Sequence, residues 1–125
     1  MATLKLEGDE VVVELSTMEK LGALMGSVRV PRASVTGARI TEDPYRELRG
    51  IRVGTGLPYV IVLGRMMFAG GQDFVAIYRT LPTAVIDLAP GQRFARLLVS
   101  SPDPTVVAAL ASGESPGSVI PIGSH

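Results

Sequence analysis

Arg46, Arg49 and Arg52, followed by Gly54-Thr55-Gly56, form the densest group of chemistry-bearing residues in the chain. Arg46 and Arg49 are three residues apart, so a helical turn would bring both guanidinium groups to one side. Gly-Thr-Gly can aim successive backbone N–H groups at one point, which makes an anion nest. These six residues are therefore a candidate site for a phosphate, a carboxylate or a lipid headgroup. The plainer alternative is a solvated face. Glu42, Asp43 and Glu47 would then neutralise the arginines as surface pairs of little energetic weight, and the glycines would only serve a turn. The Lys-Ser/Thr ending of a phosphate loop and the dinucleotide fingerprint are both absent.

Catalysis has few players. The single histidine is His125, the last residue, which leaves no internal imidazole to act as general base or metal ligand. There is no cysteine, so thiolate nucleophiles, disulfides and Cys-based metal sites are excluded. Asp73 and Asp87 lie within strand-like runs and are the candidate carboxylate bases. Asp73 follows Gly70-Gly71-Gln72, which favours turn chemistry. Asp87 alternates with Ile86 and Leu88, which places it on a solvent face. Neither has a partner carboxylate at useful spacing, so an enzyme with a carboxylate base is the least favoured reading. Asp9-Glu10 and Glu42-Asp43 lack calcium-loop spacing, and neither a metal nor a cofactor is expected.

The elements that must position these residues are built from 125 amino acids, enough for one ordinary core. Hydrophobic residues make up 46% but aromatics only 5%, so that core must be aliphatic. Twelve basic residues balance twelve acidic ones, which removes any global attraction to nucleic acid and leaves at most peripheral membrane contact. The first residues lack the apolar region of a signal peptide. No apolar run approaches the roughly 20 residues that span a bilayer, and a cytoplasmic location is expected.

Short strand-like runs dominate. Thr3 to Glu7 and Glu10 to Leu15 alternate about Gly8-Asp9, a hairpin. Ser16-Thr17-Met18-Glu19 is a capping box that starts a short helix, with Leu21, Leu24 and Met25 as its apolar side and Gly26 as its stop. Val28 to Val30 and Ser34 to Thr41 follow, the latter with a bulge expected at Gly37. Asp43-Pro44 reads as an N-cap and first helical residue, and Gly54 to Pro58 reads as a turn. Tyr59 to Met67, Asp73 to Arg79, Ala84 to Leu88 and Phe94 to Ser100 continue at meander spacing. Asp103-Pro104 then opens a final helix to Ser112. Residues 1–113 are expected to form the domain and 114–125 a mobile tail.

This predicts a mainly β fold of about seven antiparallel strands, as a barrel or orthogonal sheets, capped by the C-terminal helix. Met66, Met67 and Phe68 end the longest apolar strand. They are a candidate interface for a protein partner or a second copy of the chain, with ordinary core as the alternative.

Across these segments the chain resembles the pleckstrin-homology-like (PH-like) proteins of actinobacteria. The resemblance is carried by Val28 to Val35, Glu42-Asp43-Pro44 through Leu48 to Arg52, Gly54 to Pro58, Gly70 to Phe74 and Ser101 to Pro104, and spans about Val11 to Leu110. It implies a partly open barrel with a C-terminal helix, used to bind a headgroup, a phosphopeptide or a protein. Lipid-binding relatives carry a basic first hairpin. Here Glu7, Asp9, Glu10 and Glu14 stand there and would repel a phosphoinositide. The expected function is thus a non-catalytic binding or assembly module that associates with a protein or with itself, possible homodimer included. Anion or headgroup binding through the arginine group is the alternative.

Overall fold

The Gly8-Asp9 turn joins β1 (Thr3–Glu7) to β2 (Glu10–Glu14) in the register Glu7 opposite Glu10, as the alternation predicts. The computed structural model describes residues 1–57 and 59–112; the expected tail lies outside the described residues. Helix α1 (Thr17–Ala23) begins with the complete capping box. The Ser16 hydroxyl accepts the Glu19 N–H, and the Glu19 carboxylate accepts the Ser16 N–H. Leu24, in the left-handed region at φ 59°, ends the helix two residues before Gly26. Of the expected apolar side, only Met25 packs against the core. Ala23 and Glu19 face inward, while Leu21 and Leu24 are 69% and 68% exposed, as is Met18 at 80%.

β3 (Val28–Pro31) completes a three-stranded antiparallel sheet in the order β1-β2-β3. The second sheet contains β4 (Val35–Thr41), β5 (Ile51–Leu57), β6 (Ile61–Phe68), β7 (Gly71–Tyr78), β8 (Thr83–Leu88) and β9 (Arg96–Ser100). Its order is β4-β8-β9-β7-β6-β5. The bulge falls where expected, between Val35 and Gly37. Two features depart from the expected meander of about seven strands. There are nine strands among the described residues, and β9 inserts between β8 and β7, pairing parallel with β7. The Leu97-Leu98-Val99 run is buried on both faces, as a central strand demands. The strands form two separate sheets and not one closed barrel.

The core lies between the sheets. Leu4, Val11, Val13, Val28 and Val30 from the small sheet meet Leu63, Phe74, Ala76, Ala84, Ile86, Leu97 and Val99 from the large one. Phe74 and Phe94 meet edge to face at 5.9 Å. Helix α2 (Pro104–Ser112) packs along β4 and β1 with Val106, Val107 and Leu110 inward. Helix α1 lies on β5 and β6 at the opposite side.

Candidate functional site

The outer face of the large sheet is also apolar at its centre, with Val62, Met66, Val75, Ile77, Val85 and Leu98 buried there. Such a surface needs a cover, and the connection between β4 and β5 supplies it. Pro44 opens a 3-10 turn (Pro44–Glu47) that lays Tyr45 and Leu48 over these side chains. Asp43 makes no capping bond, so the expected N-cap is absent; the Asp43 N–H instead donates to the Thr41 hydroxyl. This nine-residue connection and the start of β5 then place charged groups at both ends of the cover.

At one end stands a closed ionic network. Asp73 is 1% exposed. Arg49 grips it bidentately, Nε to Oδ2 at 2.8 Å and Nη2 to Oδ1 at 3.0 Å. Arg96 adds Nη2 and Nε to Oδ2 at 2.7 and 3.1 Å. Arg96 also donates to the Glu47 carboxylate at 3.0 Å and to its carbonyl at 2.6 Å. Arg39 reaches the same carboxylate at 2.7 Å. The Arg39 hydrogen bond holds the Glu47 carboxyl below its ordinary range against the opposing effect of burial. Hydrogen bonding to Asp73 raises the Arg49 guanidinium further. The Arg49 plane also covers the Phe68 ring at 4.0 Å. Asp73 thus accepts four arginine N–H bonds, three at Oδ2 and one at Oδ1.

At the other end is an open pocket. Tyr45, Leu48, Arg52, Gly56, Leu57, Tyr59 and Val62 line a cavity of about 240 Å³. The Tyr45 and Tyr59 rings lie 4.9 Å apart, tilted by 50°. Tyr59 is held at φ 60°, a region that a bulky residue adopts at a cost. The Tyr45 hydroxyl is out of solvent beside the Tyr59 backbone, and burial pushes its pKa up. Arg52 runs along β5 over residues without side chains. Gly54 and Gly64 oppose each other at φ 135°, and a Cβ on either would strike the facing strand's carbonyl. A Cβ on Gly56 would overlap the Arg52 guanidinium.

The six candidate anion-binding residues are therefore divided. Arg49 is committed to Asp73, and Arg46 makes only a 4.0 Å exposed contact with Asp43. Arg52 and Gly56 meet at the pocket. Gly54, Thr55 and Gly56 form no turn; they are the middle of β5, and the Thr55 hydroxyl donates to the Gly22 carbonyl of α1. A backbone nest requires a turn and is not formed there. Met66 is buried beneath the cover, Met67 points to the opposite face at 45% exposure, and Phe68 lies under Arg49. The expected interface patch is thus split by strand alternation. Asp73 is no turn residue but the centre of the network. Asp87 is half-buried on the same outer face, not solvated as expected.

Tyr78 was not singled out by sequence, yet its hydroxyl donates to the Glu19 carboxylate. Burial, then that hydrogen bond, raises the Tyr78 pKa strongly, while bonds from Ser16 and Tyr78 outweigh burial and keep Glu19 low. The pair anchors α1 to the end of β7. Among the described residues no group of three His, Cys, Asp or Glu side chains could hold a metal ion, and no helix is long and apolar enough to cross a membrane. The chain matches no family model, no curated protein and no solved structure.

Proposed function

We propose that this protein is a non-catalytic assembly module that pairs with a second copy of itself through strand β5. The observation that carries the reading is the state of the sheet edges. β3 is four residues long, ends in Pro31 and carries Arg29. β1 bears Lys5 and Glu7 and is touched by α2, which also lies along β4. Each of these three edges has a guard of the kind that prevents edge pairing. β5 is seven residues long, borders only β6 and carries one charge, Arg52.

Antiparallel pairing of β5 with its copy about Gly54 would set Ile51 against Leu57 of the other chain, Arg52 against Gly56, and Val53 against Thr55. Ile51 and Leu57 are 76% and 56% exposed, so this register joins apolar to apolar and puts no like charges together. The contact is isologous and closes as a dimer. Met18, Leu21 and Leu24 on α1, which packs on β5, extend the apolar surface. Two packed sheets and a C-terminal helix support a PH-like scaffold; the parallel β7–β9 pair departs from it.

The test is a charge exchange read by size exclusion with light scattering. The native chain is expected to run as a dimer. I51K/L57K, which sets lysine against lysine, is expected to run as a monomer. I51K/L57E, which sets lysine against glutamate, is expected to restore the dimer. A native monomer at about 100 μM, well above the Kd of a specific complex, or an I51K/L57K dimer, would sink the reading.

A further inference from the structure

We infer that the pocket between Tyr45, Tyr59 and Arg52 is a binding site for a small apolar monoanion, a carboxylate on a ring or short chain. The first observation is charge. Of the ten arginines, Arg52, Arg65, Arg79 and Arg93 make no side-chain hydrogen bond or ion pair among the described residues. Arg93 lies over the Phe94 ring, and of the other three Arg52 lines a cavity. The second is shape. Gly54, Gly64 and Gly56 leave a track free of side chains, along which Arg52 reaches the cavity while its planar fork stays unoccupied. The third is the wall: Leu48, Leu57, Val62 and two tyrosine rings.

These features select the ligand class. One guanidinium without a backbone nest matches a single negative charge and not a phosphate dianion. A cavity of about 150 Å³ can hold benzene, so about 240 Å³ admits one ring with its carboxylate. Apolar walls with one or two placed polar groups are the usual make-up of a small-molecule site. The strained backbone at Tyr59 holds one aromatic wall in place.

The site does not require the dimer, and the test separates the two. The isotope-labelled full chain and the I51K variant, which sets lysine against Leu57 of the other chain and leaves every pocket residue native, are each titrated with sodium benzoate, benzyl alcohol and inorganic phosphate, following the amides of Gly56, Tyr59 and Val62. Benzoate is expected to give saturable shifts with a Kd of about 1 mM in both proteins. Benzyl alcohol and phosphate are expected to give none at the same concentrations. R52Q, which keeps a polar amide but removes charge at an exposed side chain, is expected to weaken benzoate binding about tenfold, in line with a charge-assisted hydrogen bond. Y59A, which removes an exposed wall, provides an independent loss. Absence of saturable shifts, equal binding of benzyl alcohol or phosphate, or unchanged affinity in R52Q overturns the inference.

Discussion

The two ends of the cover over the outer face use the same residue type in opposite ways. Around Asp73 three guanidinium groups converge on two carboxylates. At the tyrosine pocket one guanidinium stands alone beside apolar walls. Arg49 and Arg52 are three residues apart in sequence, yet one is committed to the fold and the other is available. What divides them is depth. Arg49 meets a carboxylate that the sheet has removed from water, whereas Arg52 follows a glycine track outward along an edge strand. A charge becomes structural when its partner cannot leave it for solvent.

The sharpest way to break this contrast is to remove the buried acid. Asp73→Asn leaves Arg96, whose side chain is 12% exposed, without its main counter-charge, and is expected to cost about 3 kcal/mol or more in urea unfolding. Arg52→Gln in the same assay is expected to stay within about 0.5 kcal/mol. Equal losses for the two would erase the distinction. Next in size is Gly64→Ala. Its Cβ would strike the Val53 carbonyl at a backbone angle that disfavours L side chains, so a loss of about 2 kcal/mol is expected, together with loss of benzoate binding as the Arg52 track is disturbed.

The smallest effect is a pH dependence. Arg39 lowers the folded pKa of Glu47 below its ordinary 4.5, so this contribution is present above about pH 4.5 and fades as pH falls through the folded value. Glu47→Gln is expected to flatten stability over that acid range relative to the native chain. The change should show in unfolding midpoints measured in steps between pH 6 and about pH 3. A pH profile identical to the native one would count against an ionised Glu47 in the network.

Much of this arrangement was legible where the controlling contacts are local. The Ser16–Glu19 capping box, the Gly8-Asp9 hairpin, the Gly37 bulge and the Pro104 helix start are each set by residues within a few positions of each other. Asp73 was not legible, because its partners Arg49 and Arg96 lie 24 and 23 residues away and only the sheet brings them together. Gly54 and Gly56 carried a misleading signal. In one dimension two glycines near a proline read as a turn. In the sheet, Gly54 is required because another glycine, Gly64, faces it across a strand pair. The helical spacing of Leu21 and Leu24 misled similarly, since Gly22 and Ala23, being small, let α1 sit close on β5 and β6 and leave the larger side chains outside. Of the pocket, only Arg52 and Gly56 were marked beforehand; Tyr45 and Tyr59 lie 14 residues apart and meet through tertiary packing alone.

The insertion of β9 between β7 and β8 has a consequence for how the molecule comes into being. Without it the large sheet is two disconnected fragments, β4-β8 and β7-β6-β5. The segment that unites them, Arg96–Ser100, is the last strand among the described residues. During synthesis, β7 and β8 must each wait with an open edge until it arrives, and Arg96 carries half of the Asp73 contacts with it. The closing event therefore seals the sheet and neutralises its buried acid in one step, which ties the sheet's cooperativity to a single late pairing of high sequence separation.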